Sequence, residues 1–441
     1  MGVTALAFVI GILIMIVGLA VSIALHEIGH LVPAKRFGVR VGQYMIGFGP
    51  TLFSRRRGET EYGVKALPIG GYISMAGMYP PPPEERDAAA SGTRAGRAGG
   101  GFFATMVQDA RAANADTMVD ADDDRVFWRL PVWKRVVIML GGPLMNLVLA
   151  IVLFAILFTG IGVQQASTTI ASISECVAPS GSTQTECSAS DPAAPAAEAG
   201  LRPGDRILAI DGTPVASFDE ASAIIRDSPD RQLTFTIERD GRQSAVAVTP
   251  MLAERPATDA AGDATTEAVG FVGFSPTAEY VRQPIWAGPE AAIENVGAVA
   301  GVIVQLPVKL TDTAISLFTG SERDPDGPLS VVGVGRLAGE VAAIDAPVLN
   351  RVAGILGLLA SLNIALFVFN LIPLLPLDGG HVVVALWDGI KRAWAKLFRR
   401  PPPGPVDATK LVPVTFVVVV LLIGMGAVLI LADLVNPIQL L

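Results

Sequence analysis

Four long stretches of the chain consist almost entirely of apolar residues. They cover residues 3–25, 136–163, 353–377 and 411–432. A helix needs roughly 20 apolar residues to cross the hydrocarbon core of a bilayer, so each stretch predicts a membrane-spanning helix. The apolar run at 297–306 is too short to span. The wider segment 285–318 has helical spacing and sparse charge, which predicts an amphipathic helix on the membrane surface.

Between these stretches the pattern changes to shorter runs. Residues 34–79 hold short strand-like runs punctuated by glycines, which predicts a small region of short strands and hairpin turns on the cytoplasmic side. Residues 80–130 begin rich in Pro, Ala and Gly and continue into an acidic run, which predicts a disordered cytoplasmic insert. Residues 165–252 predict a compact α+β domain with a hairpin around Asp240-Gly241, and residues 253–345 a linker followed by the surface helix.

The predicted organisation is a polytopic α-helical membrane protein. With their flanks, the four spans occupy residues 1–33, 131–164, 346–380 and 411–436, and residues 381–410 form a cytoplasmic loop. No Lys or Arg precedes Lys35 and the first apolar run is long, so we expect a retained span rather than a signal peptide.

Basic residues set the expected orientation, because they concentrate in the cytoplasmic loops of membrane proteins. They flank the spans within residues 34–134 and 379–410, whereas residues 165–345 hold 11 Lys and Arg against 25 Asp and Glu. We therefore expect the first two segments on the cytoplasmic side of a bacterial plasma membrane, and the third segment and both termini outside.

Composition supports a membrane protein and excludes other classes. Only 17% of the 441 residues are charged, against about 25% in soluble domains. The net charge of −8 argues against a nucleic-acid-binding protein. The two cysteines, Cys176 and Cys187, lie in the predicted external segment, and thiols in an oxidising compartment usually pair, so we predict a disulfide between them.

The sequence His26-Glu27-Ile28-Gly29-His30 lies near the end of the first predicted span. Residues four apart are separated by about 40° around a helix, so both imidazoles can reach one metal ion. Glu27 lies about 100° round the axis, where it can approach a metal-bound water without being a ligand. This is the spacing of zinc hydrolases, in which the metal lowers the water pKa and the glutamate takes its proton.

A catalytic zinc ion normally has three protein ligands and one open position. Two further candidates follow the third apolar stretch, at Asp378 and His381 in the run NLIPLLPLDGGH. Two prolines interrupt the helix there, and irregular backbone at membrane depth requires a protein-lined or watered cavity. Spacing alone does not decide between the two candidates.

Several motifs together resemble the site-2 protease family of intramembrane zinc metalloproteases, particularly the bacterial sigma-regulating members with a single PDZ domain found in actinobacteria. The motifs are HEIGH at 26–30, GFGP at 47–50, PIGGY at 68–72, GPLMN at 142–146 and NLIPLLPLDGGH at 370–381. Between the second and third spans, AGL at 199–201, PGD at 203–205 and IDG at 210–212 resemble the PDZ domains of bacterial membrane-associated proteases. The likeness covers most of the chain outside residues 80–124.

The resemblance implies a role for each matching residue near the metal. One Zn²⁺ per chain would be held by His26, His30 and Asp378, with Glu27 as the general base. His381 would then be a neighbour of the site and not a ligand.

The resemblance also implies a substrate-binding set. Asn370 would hold the substrate backbone. Residues 34–79 would form a re-entrant β-hairpin region, whose edge at Gly70, Gly71 and Tyr72 would capture an unwound substrate helix as an added strand. Asn146 would also face the site, although packing between helices through small and amide residues explains it equally well.

The function implied is cleavage of single-span membrane proteins inside the lipid bilayer. The expected substrate is an anti-sigma factor that has already received a first extracytoplasmic cut. The alternative is a non-catalytic membrane scaffold with a peptide-binding PDZ domain, which would contain no zinc.

Overall fold

A computed structural model of the protein describes residues 2–80, 102–115, 117, 124–177, 187, 191–258, 264–325 and 327–438. The chain divides into two compact units. Met1–Gly160 and Pro284–Leu441 form a helical unit, and Ile161–Gln283 forms a β-rich unit.

The helices are labelled in chain order over the described residues. They are α1 (Gly2–Arg36), α2 (Phe102–Ala115), α3 (Val132–Ala155), α4 (Pro195–Glu198), α5 (Phe218–Arg226), α6 (Ala287–Thr319), α7 (Val331–Ala343), α8 (Val348–Asn370), α9 (Asp378–Leu397) and α10 (Val412–Val435).

The strands follow the same convention. They are β1 (Val41–Arg57), β2 (Thr60–Met75), β3 (Val163–Ile173), β4 (Arg206–Ile210), β5 (Thr213–Pro214), β6 (Leu233–Arg239), β7 (Arg242–Val248), β8 (Met251–Thr258), β9 (Ala264–Phe271) and β10 (Phe274–Val281).

Five helices of the described chain are long and apolar enough to cross a membrane. Four of them, α1, α3 with the π-helical turn after it, α8 and α10, cover the four predicted spans. The fifth is α6, where we expected a surface helix, because the sequence shows only a short uncharged core there and the helix continues for 33 residues around it. The protein is therefore a multi-pass membrane protein by the length and composition of its helices.

Both ends of α6 lie toward the same end of the helix bundle. At its beginning, Gly288 packs against Ala155 at the last residue of α3. Just beyond its end, the Ser321 carbonyl accepts a hydrogen bond from Asn436, which follows α10. α3 runs antiparallel to α1, because Phe37 contacts Trp133 and Gly29 contacts Gly141, so α3 ends on the side where α1 begins. α10 ends on that side too, because α7 contacts both Phe8 near the start of α1 and Asp433 near the end of α10. This geometry favours a helix that enters the bundle obliquely without crossing it.

Close backbone packing joins α1, which carries His26 and His30, to α3. A side chain at Gly29 of α1 would collide with the Gly141 carbonyl of α3, and the reverse collision would occur at Gly141. Only hydrogen atoms fit at this crossing, so the two glycines let α1 and α3 touch. Beside it, Asn363 of α8 donates a hydrogen bond of 3.0 Å to Ser22 of α1, which aligns α8 with the same helix.

β1 and β2 form a sheet packed against α1. The first part of β1 lies between two parts of β2, so that Met45 pairs with Gly63 on one side and with Tyr72 on the other. Residues 71–75 consequently form one edge of this sheet and residues 51–57 the other. A core of apolar side chains from α1, β1 and α3 lies beneath the sheet and includes Leu31, Val41 and Ile138.

The β-rich unit is built around a sheet in the order β10-β3-β4-β6-β7, with β5 paired to β4. Its core contains Ile207, Ile210, Phe235 and Ile237, all nearly inaccessible to solvent. Cys176 and Cys187 are joined by a disulfide, with their Cα atoms 5.9 Å apart.

The structure corrects three expected boundaries. The predicted disordered insert at 80–130 contains α2. This helix is held by side-chain contacts with residues distant in sequence, which its alanine-rich composition does not indicate. Residues 253–283, expected as part of a linker, belong to the β-rich unit, since β10 pairs with β3. The predicted loop at 381–410 begins with most of α9. Residues 81–100 of the insert lie outside the described residues.

Candidate metal centre

Three predicted site residues from two distant parts of the chain meet in one cluster. The Nε2 atoms of His26 and His30 are 3.2 Å apart. The Oδ2 atom of Asp378 lies 3.3 Å from each of them. Their potential ligand atoms all lie within 4.8 Å of one another. The four-residue spacing on α1 aligns the two imidazoles, and the packing of α9 against α3 brings the carboxylate to them.

The cluster fits a tetrahedral zinc ion. Ligand bonds of 2.0–2.1 Å place neighbouring ligand atoms about 3.3–3.4 Å apart, which matches the spacing of these three atoms. The Oδ2 atom of Asp378 is buried with no hydrogen-bond partner among the described residues. A buried carboxylate oxygen without a partner is costly, and a cation between the three side chains removes that cost.

The other ring nitrogen of His30, Nδ1, is held in place by the backbone of α3. It lies 2.7 Å from the carbonyl oxygen of Ile138 on α3. Since a carbonyl only accepts, Nδ1 carries the proton and Nε2 presents its lone pair to the cluster. Such partners of the outer nitrogen orient histidine ligands in metal sites.

The chain reverses sharply to bring Asp378 into place. α8 ends at Asn370, and α9 begins at Asp378 itself. The intervening turns run through Pro373 and Pro376, which cannot continue the helix. At Gly379, a side chain would collide with the carbonyl oxygens of Leu371 and Ile372, so a residue without a Cβ atom is required for the reversal.

Glu27 lies between the cluster and the edge strand of the β1–β2 sheet. Its side chain is buried, with 8% of the residue exposed. A Cβ atom at Gly71 would lie 2.8 Å from Ile23 and 3.0 Å from the Glu27 Cγ atom. The edge strand therefore passes in contact with the α1 segment that carries the carboxylate.

His381 lies apart from the metal-binding cluster. Its ring faces Tyr79, with the ring centroids 6.2 Å apart. The cluster of potential ligands contains Asp378 and not His381.

The remaining predicted residues occupy different positions around the cluster. Asn370 is the last residue of α8, and its amide nitrogen donates to the Leu366 carbonyl at 2.9 Å. Asn146 is fully buried on α3, and neither of its amide atoms has a hydrogen-bond partner among the described residues. Tyr72 donates a hydrogen bond of 3.1 Å to Gln43 on β1.

Two further contacts near the site were not predicted from the sequence. Tyr79 covers His381, and its backbone is held by Asn114 of α2. Arg135 of α3 forms a buried ion pair with Asp388 of α9 at 3.0 Å. Arg135 lies at the edge of an apolar stretch, and a charge in that position needs a partner. The sequence therefore indicates an ion pair but does not identify Asp388 as its other member.

The β-rich unit contains a separate groove of about 210 Å³. It is lined by α5, with Phe218 and Ile225, and by the segment from Val269 to Phe274. Arg255 places its guanidinium 3.7 Å from the centroid of the Phe271 ring at this groove.

Comparison with known proteins agrees with the geometry of the cluster. Residues 14–399 match the model of "Peptidase family M50". The chain is 34% identical to "Zinc metalloprotease Rip1" of Mycobacterium tuberculosis over 445 residues, covering 98% of this chain and 99% of the relative. It is likewise 34% identical to Rip1 of Mycolicibacterium smegmatis over 449 residues, with the same coverage.

A relative of lower sequence identity is also named as a metalloprotease. "Metalloprotease MmpA" of Caulobacter vibrioides is 29% identical over 399 residues, covering 87% of this chain and 88% of the relative. The scaffold alternative does not fit a match of this extent to proteases. The chain belongs to peptidase family M50, the site-2 proteases, and is a zinc-dependent intramembrane metalloprotease.

Proposed function

We propose that the protein is an endopeptidase that cleaves single-span membrane proteins at a zinc ion held by His26, His30 and Asp378. The observation that carries the proposal is the meeting of these three side chains at 3.2–3.3 Å. When bound, zinc supplies an activated water and polarises the carbonyl of the scissile bond. His26, His30 and Asp378 would hold the ion without filling its coordination, which would leave it accessible to water and substrate.

In this proposal Glu27 is the general base. It shares α1 with two of the ligands and lies on the side that faces the edge strand. Its carboxylate accepts a proton from the attacking water and returns the proton to the leaving amide nitrogen. Burial of the carboxylate excludes bulk water, so the proton is exchanged with the substrate rather than lost to solvent.

The edge strand at residues 71–75 receives the substrate. Its inner side pairs with β1, and no described strand pairs with its outer side. A substrate helix must lose its local hydrogen bonds before the peptide bond becomes accessible, and pairing with this edge replaces them. The absence of a side chain at Gly71 lets this edge approach Ile23 and Glu27 of α1, so a substrate strand paired with it would lie close to the proposed base.

Two amides complete the binding site. Asn370 lies at the end of α8, where the chain turns toward Asp378, and we propose that its amide binds the substrate backbone. Asn146 is buried with both amide atoms unpaired. Unpaired buried amides are unfavourable, and a hydrogen bond to substrate or to a water molecule in the site would satisfy it.

The proposed topology has four spans, α1, α3, α8 and α10, with both termini extracytoplasmic. The end of α1 and the start of α3 then face the cytoplasm, and the metal lies toward that side. These two segments carry Lys35, Arg36, Arg129 and Lys134. Because α6 begins and ends at the same end of the bundle, it rests in the extracytoplasmic half of the bilayer.

We propose that the β-rich unit is an extracytoplasmic PDZ domain that controls access. Its groove between α5 and β9 has the form that takes an extended peptide, and its bulk would obstruct a substrate with a large external part. An anti-sigma factor trimmed by a first external cut fits both conditions. This substrate class rests on likeness to the family.

The test of the mechanism is Glu27→Gln in the full-length protein. The variant keeps the size of the side chain and removes the base, so zinc content should stay at one per chain while cleavage of a membrane-anchored reporter falls by at least about 100-fold. Undiminished cleavage would count decisively against the role of Glu27. Comparing membrane proteomes of wild-type and variant cells would then identify the accumulated substrate.

The ligand assignment is tested separately with Asp378→Asn and His381→Asn. Zinc bound after dialysis should fall in the first variant and remain at the wild-type level in the second, because only Asp378 belongs to the cluster. Loss of zinc in His381→Asn with retention in Asp378→Asn would reverse the assignment.

A further inference from the structure

The exposed side of α9 carries an apolar stripe from Val383 to the end of the helix. The stripe consists of Val383, Leu386, Trp387, Ile390, Trp394 and Leu397, each 46–74% exposed. Their spacing of three and four residues places them on one helical face. The opposite face packs against the protein through Ala385 and Asp388, so the stripe is not part of the core of the helical unit.

The second half of α9 adds a dense positive charge. Lys391, Arg392, Lys396, Arg399 and Arg400 fall within ten residues, and no Asp or Glu lies between residues 389 and 406. Arg392 and Lys396 lie across the helix from the stripe at 100° per residue and are exposed. Lys391 lies 3.5 Å from Asp388, whereas neither Arg392 nor Lys396 forms an ion pair with any residue that the structure describes. A basic face opposite an apolar face with Trp is typical of helices that lie in the membrane interface.

Contacts with α3 place this half of the helix at the end of the bundle. Gly389 of α9 lies beside Val132, the first residue of α3. The adjacent Trp133 is 58% exposed and is followed by Lys134, a pairing that marks the level of lipid headgroups. Residues 390–400 therefore extend to or beyond this level, where the positive charges meet headgroups.

We propose that the second half of α9, residues 390–400, is a docking surface for anionic phospholipids. Its apolar stripe inserts among the acyl chains, and its basic side chains bind the headgroup phosphates by extending toward them. A protein partner would need a complementary acidic and apolar surface, whereas the bilayer is already in contact with this end of a membrane-spanning unit.

Docking at this surface reaches the metal centre through one rigid element. Asp378 is the first residue of the same helix, so a lipid that fixes residues 390–400 also restrains the carboxylate. This consequence rests on the proposed role of Asp378, whereas lipid binding itself does not. Cleavage is therefore expected to be faster in bilayers that contain anionic lipid.

The test uses the full-length protein in nanodiscs that hold one chain each, made of phosphatidylcholine alone or with phosphatidylglycerol. Hydrogen exchange of residues 390–400 should be slower with phosphatidylglycerol, and added salt should reduce the difference. In Arg392→Gln/Lys396→Gln the protection gained from phosphatidylglycerol should fall by about 25-fold, since each basic residue at an anionic surface contributes roughly a factor of five.

A matched control removes two exposed arginines from the β-rich unit, Arg206→Gln/Arg242→Gln, and should retain the full lipid effect. Trp394→Ser should lose protection in both lipid mixtures. Equal protection in both mixtures for the wild-type protein, or an undiminished lipid effect in Arg392→Gln/Lys396→Gln, would overturn the proposal. Larger nanodiscs that hold two chains provide a further comparison. If residues 390–400 are protected only in these, a second copy of the chain is the occupant, and the proposal is overturned.

Reporter cleavage measured on the same samples separates the two proposals. Lipid-dependent protection without cleavage in any mixture would leave the docking surface intact and contradict the proposed function. Cleavage that is independent of phosphatidylglycerol, with protection present, would contradict only the coupling to Asp378.

Discussion

Arg135 and Asp388 carry opposite charges inside the helical unit, and the side chains are only 5% and 2% exposed. Asp388 also accepts a hydrogen bond of 2.8 Å from the Val406 backbone, whereas the Nε and Nη2 atoms of Arg135 have no partner among the described residues. Two charges withdrawn from water are stable together and unfavourable apart. The pair therefore determines how α9, with Asp378 at its start, is held against α3.

Replacing one member of this pair should be more harmful than replacing both. We expect Asp388→Leu to destabilise the helical unit by about 3–5 kcal/mol, because it leaves a buried guanidinium unpaired. The double variant Arg135→Met/Asp388→Leu should recover most of that loss. Thermal unfolding of the full-length protein in detergent measures both, and equal stability of the single and double variants would show that the pair is not coupled.

At the scale of the element, α2 ties two distant segments together. Arg111 donates to Asp407 at 2.8 Å and to Thr409 at 3.1 Å. One turn further, Asn114 exchanges hydrogen bonds of 3.1 and 2.9 Å with the backbone of Tyr79. The short helix thereby connects the end of the β1–β2 region to the segment before α10, next to His381.

Asn114→Ala should release this connection. The backbone groups of Tyr79 would lose their partners, at a cost of about 1–3 kcal/mol, so hydrogen exchange of α2 and of residues 77–80 should accelerate together. The exposed Asp109 on the same helix provides the control, because Asp109→Ala removes a side chain of similar size without touching Tyr79. Similar acceleration in both variants would contradict the role assigned to Asn114.

At the scale of the whole molecule, two units with separate cores respond to different conditions. In the β-rich unit, Asp205 accepts two hydrogen bonds of 2.6 Å from Arg239 and one of 2.8 Å from the Arg202 backbone. The bonds from Arg239 keep the pKa of Asp205 below its usual value, against the opposing effect of desolvation. The unfolded chain therefore takes up a proton at higher pH than the folded unit does.

Acid should consequently destabilise the β-rich unit through Asp205. The stabilisation from this carboxylate is fully present above the unfolded-state pKa of about 4 and is lost as the pH falls through the lowered folded-state value. Hydrogen exchange of β6 in the full-length protein should show a steep loss of protection over that range. Asp205→Asn should be less protected near neutral pH and show a flatter dependence on pH, whereas Asp219→Asn, at an exposed carboxyl, should behave as the wild type does.

The features that could be predicted from the sequence depend on helix geometry over a few residues or on the length of an apolar stretch. The spacing of His26 and His30 places both on one face of any helix, and uncharged stretches of sufficient length predict spans wherever they occur. Spacing could not choose the third candidate ligand, because Asp378 and His381 lie on the same helix only three residues apart. Family resemblance indicated Asp378, and the structure brings that carboxylate into the cluster.

The sequence by itself determined four of the five helices long and apolar enough to cross a bilayer, the pair of histidines and the chemistry they suit. Tertiary structure alone decided that α2 docks, that residues 253–283 complete the β-rich unit, and that the edge strand passes beside Glu27. The physical reason is the distance along the chain over which each effect acts. Periodicity and chain geometry act over a few residues, whereas His30 and Asp378 approach within 3.3 Å only because α1, α3, α8 and α9 pack together.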